Sequence, residues 1–144
     1  MSQSPDAVMR QWFKEVWDEG RPEAIDRLAV DNFTVHGLGG PTDPPLIGKD
    51  AFKAVHRMFL DALGDLTVTV EKSVVQGDLC AVYCRVAGRH TGAALGGPPT
   101  NKDVNFTGIT IGRIADGKVV EGWNVFDFLG MYQQIGWVKT PPTP

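Results

Sequence analysis

The sequence predicts an α+β domain, with helices covering one face of a curved antiparallel sheet. Three observations carry this reading. Apolar residues recur at helical spacing up to about residue 63 and in β-rich runs after Gly64. Short glycine-containing turns join those runs closely enough to pair them antiparallel. The 144 residues, 42% hydrophobic and 22% charged, suit one domain that buries roughly 68–70% of its unfolded surface. Helices first and strands afterwards is the order of an α+β fold, and this composition excludes a disordered body. The expected layout is a single domain over 1–144, ordered over about 6–137, with 138–144 as a flexible tail.

The first helix starts at Ser4-Pro5, an N-cap followed by proline at the first helical position. Val8, Met9, Trp12, Phe13, Val16 and Trp17 form its apolar stripe, and Gly20 ends it. Arg21-Pro22 opens a shorter helix carrying Ile25, Leu28 and Ala29 on one side. Residues 38–47 read as a glycine- and proline-rich loop. A third helix spans about Lys49 to Leu63, with Phe52, Val55, His56, Phe59, Leu60 and Leu63 facing inward. Strands follow at Leu66–Val75, Leu79–His90, Val104–Ile114 and Lys118–Phe128, with turns at Gln76-Gly77-Asp78 and Ala115-Asp116-Gly117. A long connection fills 92–103, and a last helical turn or two covers Leu129 to Ile135, ahead of a frayed tail at Pro141–Pro144.

A three-residue hairpin loop with Gly117 left-handed would pair Thr110 with Gly122 and Gly108 with Asn124. One face then carries Phe106, Gly108, Thr110, Gly112, Gly122, Asn124 and Phe126. The other carries Thr107, Ile109, Ile111, Val119, Trp123 and Val125. The glycine face either leaves space for a pocket or relieves strand curvature; the apolar face packs against a second subunit or is ordinary core.

Fourteen Lys and Arg against 17 Asp and Glu give a net charge of −3, and no basic stripe speaks for nucleic acid. No apolar run reaches the roughly 20 residues of a membrane span, and the first residues lack the pattern of a signal peptide. Cys80 and Cys84 lie ~13 Å apart along one strand, too far to bridge, which suits reduced thiols in a cytoplasmic protein. His36, His56 and His90 show no metal-ligand spacing, so no metal is expected. There is no nucleophile motif, no Walker sequence and no dinucleotide fingerprint.

Seven segments stand out together: Phe13–Gly20 (FKEVWDEG), Asn32–His36, Gly88-Arg89-His90-Thr91-Gly92, Gly97-Pro98-Pro99-Thr100, Arg113–Lys118, Glu121–Asp127 and Gln134-Ile135-Gly136. As a set they resemble SnoaL-like polyketide and ester cyclases. The resemblance runs in order over about residues 6 to 137. It implies the nuclear transport factor 2-like cone: three N-terminal helices against a strongly bent antiparallel sheet, enclosing a pocket. It also implies cofactor-independent acid/base chemistry on a hydrophobic carbonyl compound. In such cyclases a pocket carboxylate moves a proton, and a histidine stands on the preceding strand. Those two positions align here with Asn124 and Thr110. An amide exchanges no proton near neutral pH, so the aldol mechanism does not carry over intact.

The site expectations follow. Asp127 is either the general acid/base, its pKa raised by Phe126, Phe128 and Trp123, or the cap of the last helix. His90, at a strand end, either polarises a carbonyl or anchors the 92–103 loop. His36 takes the same role or anchors its own loop, and Asn124 donates to a developing oxyanion. His56 reads as a satisfied core histidine. Trp12, Phe59, Phe106, Gly108, Thr110, Gly122 and Trp123 are expected to contact a flat apolar ligand in a cavity of ~300–1,000 Å³. The leading function is a cyclase or isomerase; the alternatives are a non-catalytic small-molecule binder and epoxide hydrolase-like hydration. A homodimer through the apolar sheet face is expected.

Overall fold

A computed structural model describes residues 3–39 and 42–140. Ser4 caps the first helix through its Oγ, which accepts from the Ala7 N–H at 3.2 Å. That helix, α1, spans Pro5–Trp12 and widens into a π-helical stretch over Phe13–Asp18 before Gly20, at φ +66°, ends it. Helix α2 is Pro22–Leu28, and strand β1 is Ala29–His36. A short strand β2 (Leu46–Ile47) precedes α3 (Lys49–Ala62). Strands β3 (Leu63–Gln76), β4 (Leu79–His90), β5 (Asp103–Ala115) and β6 (Lys118–Phe126) follow, and α4 (Phe128–Gln134) closes the fold. The tail expected at 141–144, like residues 40–41 of the loop, lies outside the described residues.

The architecture is α+β: one six-stranded curved, unclosed sheet in the order β2-β1-β6-β5-β4-β3, with the helices packed on its inner face. Two expectations about the sheet are corrected. It is mixed, because β1 runs parallel to β6. The segment 29–36 is a strand because Phe33-Thr34-Val35-His36 alternates buried and half-buried side chains, the period-2 signal of a strand. The loop over 38–47 contains β2, which pairs with β1 through Thr34↔Ile47 and Val35↔Leu46.

The β5–β6 register also differs. The turn is a two-residue loop with both Asp116 (φ 50°) and Gly117 (φ 75°) left-handed, the signature of a type I′ hairpin. A bulge then follows between Arg113 and Ile114, and the ladder runs on as Gly112↔Gly122, Thr110↔Asn124 and Gly108↔Phe126. The expected partners of Thr110 and Gly108 are therefore displaced by two residues, which preserves their face. The bulge reverses the parity of Val119, which is buried inside instead of sitting on the outer apolar face.

The core lies between α1, α3 and the concave side of the sheet, around Phe33, Phe52, Met9, Val16 and Ile25. Trp12, Phe33 and Phe52 meet with ring centroids 5.3–5.8 Å apart. Cys80 and Cys84 face this core as free thiols, and burial pushes Cys84 up to about 12. At that value the thiol stays protonated and inert near neutral pH.

Candidate functional site

The concave side of the sheet and the helices above it enclose an apolar cavity. Trp12, Phe13 and Trp17 form its α1 side, and Phe52 and Phe59 the α3 side. Phe33 and Val35 of β1 add to it, as do Phe106, Val119, Phe126 and Phe128. Thr110, Gly112, Gly122 and Asn124 complete the floor on β5 and β6. Among the described residues, none of the lining side chains is ionisable.

The cavity holds about 70 Å³ of free space, well below the ~300–1,000 Å³ expected. The glycines explain the difference. A Cβ at Gly108 would collide with the Phe126 ring, and one at Gly112 would meet the Met9 thioether. The first space is filled by the cross-strand partner on β6, the second from α1 above the sheet. Of the three glycines on this face, Gly122 alone stands over open space, with nothing nearer to its Cβ position than the Ile111 carbonyl oxygen at 3.9 Å. Gly108 is thus packed beneath Phe126 and does not line the cavity, contrary to expectation. Trp12, Phe59, Phe106, Thr110 and Gly122 do line it.

The polar centre is a cross-strand pair. Thr110 Oγ1 donates to Asn124 Oδ1 at 2.6 Å, and Asn124 Nδ2 donates to the His36 carbonyl oxygen at 2.9 Å. Thr110 is 5% exposed. Gly37, at φ +85°, passes so close to the Asn124 backbone carbonyl that a side chain there would collide with it. The β1–β6 contact therefore fixes the backbone on both sides of the amide.

The other expected site residues lie elsewhere. Asp127 is exposed and caps α4, its Oδ1 accepting from the Gly130 N–H at 2.8 Å. The strand ends at Phe126, so residue 127 turns out of the ladder and away from the cavity. His36 projects to the outer face, where Nε2 meets Glu121 Oε2 at 2.7 Å and the ring stacks on Trp123 at 5.5 Å. Trp123, expected in the pocket, is held there, with the Arg113 guanidinium 5.8 Å from its ring. His90 is wholly buried at the end of β4, and the Thr100 N–H donates to its Nδ1 at 3.2 Å. In the neutral ring the proton then sits on Nε2, which has no hydrogen-bond partner among the described residues, and His90 is not one of the residues that line the cavity. Trp137 stands edge-on to that imidazole at 5.1 Å.

His56 is a buried core histidine. Its Nε2 meets the Val16 carbonyl at 2.6 Å, in the last turn before Asp18, where helix carbonyls lack intrahelical donors. Burial holds its pKa below the ordinary value. Among the described residues no cluster of His, Cys, Asp or Glu is arranged to hold a metal ion. No helix among them is long and apolar enough to cross a membrane.

With this geometry, the family described as SnoaL-like polyketide cyclase matches residues 7–135. The chain belongs to the SnoaL-like polyketide cyclase family. It is 26% identical over 153 aligned positions to aklanonic acid methyl ester cyclase DauD of Streptomyces sp. (strain C5), covering all of this chain and 93% of that one. Wild-type IdmH from Streptomyces antibioticus superposes with a TM-score of 0.80 at 27% identity, over 93% of this chain and 99% of that one. TsrD from Streptomyces laurentii gives 0.78 at 25% identity, over 92% and 95%. Membership in this SnoaL-like family supports a cofactor-independent role of the cyclase or isomerase type.

Proposed function

We propose that this SnoaL-like protein is a cyclase- or isomerase-type enzyme acting on a hydrophobic, polyketide-like carbonyl compound held in the cavity. The observation that carries the reading is the Thr110–Asn124 pair, the polar centre of an otherwise apolar lining. Asn124 donates to the substrate oxygen and stabilises negative charge as it develops there, an effect worth roughly 10²–10³-fold in rate in comparable sites. Because the lining carries no carboxylate or imidazole, the base that takes the carbon-bound proton is water or a group on the substrate. That requirement favours compounds whose C–H is already activated between two carbonyls.

Deuterium exchange at the central carbon of benzoylacetone, followed by NMR, tests this. The protein should accelerate exchange, and Asn124→Leu should remove most of the acceleration. Asp127→Asn should leave exchange within a few-fold of the parent, since Asn caps a helix about as well as Asp. A large loss on Asp127→Asn would return the acid/base role to Asp127.

The charge-free lining also favours a second reading, a non-catalytic binder; probe binding without any accelerated exchange is its outcome. Hydration of an epoxide gains no support from a lining with no carboxylate to activate water. A homodimer through the outer sheet face and a cytoplasmic setting, suited to two buried free thiols, complete the proposal.

A further inference from the structure

We infer that Thr110 and Asn124 together select an uncharged hydroxyl oxygen, so that the cavity takes the enol or phenol form of a ligand in preference to its keto form or a carboxylate. This rests on the ligand-binding reading of the cavity given above. The argument is a count of donors and acceptors. The single hydroxyl proton of Thr110 is spent on Asn124 Oδ1. Asn124 Nδ2 faces the His36 carbonyl, which can only accept, so the amide cannot turn over without setting two oxygens against each other.

Two functions remain at this spot. One is the second N–H of Asn124, and the other is the lone pairs of the Thr110 oxygen. Among the described residues neither has a further partner. An enol or phenol O–H uses both, donating to Thr110 Oγ1 while accepting from Asn124 Nδ2. A ketone oxygen only accepts, so it satisfies the amide and leaves the Thr110 lone pairs unmet. A carboxylate brings a full, permanent charge and finds one donor, no cation and an apolar surround, where an unpaired charge is costly, whereas the charge on an enolising oxygen is partial and ends in an O–H bond. The pair is directly cross-strand in the ladder and nearly closed to solvent at Thr110, so its arrangement does not depend on a mobile loop.

The test uses one-ring probes, the smallest ligands that carry the four chemistries, since the free space is about 70 Å³ and an apolar cavity of about 150 Å³ takes benzene. Phenol, toluene, acetophenone and benzoate are titrated separately, and NMR signals of the Thr110 methyl and the Asn124 side-chain amide report binding. Phenol should bind roughly 10-fold more tightly than toluene, with acetophenone between them and benzoate weakest. Thr110→Val should bring phenol down to the level of acetophenone while moving acetophenone little, and Thr110→Ser should restore the preference. Phenol and acetophenone binding equally to the parent, or benzoate binding as well as phenol, overturns the inference. If all four bind without rank, the cavity still binds ligands and only this inference falls. If none shifts the two signals, the ligand-binding reading fails and this one with it.

Discussion

At residue scale, His56 is a buried group through which mild acid acts on the fold. Its ring is 1% exposed, and burial is the first cause of a pKa below the ordinary 6.5; the Val16 contact opposes that shift and loses. A depressed histidine pKa means the unfolded chain takes up the proton first. The stability it protects is therefore present above about pH 6.5 and is lost as pH falls below that value. The carboxyls of Asp6, Glu15 and Asp26 are also lowered, by hydrogen bonds from Ser73, Arg27 and Lys53 first of all. Their contribution fades only around and below ordinary values of 3.8 to 4.5, a separate window. Melting curves at about pH 7.5 and about pH 5.5 should show a drop in Tm for the parent and a clearly smaller one for His56→Gln, whose amide donates without titrating. Equal drops would remove His56 as the source. The satisfied core role of His56 was legible in its helical spacing from Phe52. The outward turn of His36 was legible too, in the alternation of Phe33 to His36, once 29–36 is taken as a strand.

At the scale of elements, the β5–β6 hairpin shows what sequence pattern carries and what it leaves out. The alternation of glycines with Phe106 and Thr110 marks the inner face correctly, because face depends only on parity. Neither the bulge beside Arg113 nor the crossing of Phe126 over Gly108 is written in that alternation. Both depend on which partner side chain reaches across, and that is tertiary packing. The same limit applies to Asp127: its position after a strand and before a helix fits a cap and an acid equally, and only the structure shows the cap, formed where the ladder ends at Phe126. The glycines now give opposite expectations. Gly122→Ala places a methyl in open space and removes backbone freedom from the unfolded chain, together about 1 kcal/mol of stabilisation. Its Tm should rise by roughly 2–4 °C, while Gly122→Leu should fill the cavity and abolish phenol binding. Gly108→Leu should instead destabilise by about 1–3 kcal/mol, because the Phe126 ring occupies the site. A stable Gly108→Leu protein with normal Tm would show that Phe126 moves aside freely.

For the whole molecule, the convex side of the sheet is the part that one chain leaves unfinished. Cross-strand partners align there as Val74–Ala81–Ile111–Trp123 and as Tyr83–Ile109–Val125, two apolar rows side by side over β3 to β6. Val125 is 77% exposed, Val74 70%, Ile109 45% and Ile111 39%. Contiguous apolar surface of this kind is unusual on a monomer and ordinary at a subunit interface. Polar pairs bound it: His36 with Glu121, Arg113 with Asp78, and Arg85 with Glu71. A second copy meeting the same face through a two-fold axis would bury the rows and let these charges form a rim. Static light scattering at micromolar concentration should accordingly give twice the 15.7 kDa of one chain. Ile109 and Val125 are direct partners, so Ile109→Lys with Val125→Glu keeps an ion pair within the monomer while making the face polar. That double variant should scatter as a single chain and still bind phenol, because both residues point away from the cavity. A parent protein of 15.7 kDa would sink the dimer. A dimeric double variant would place the interface on another face.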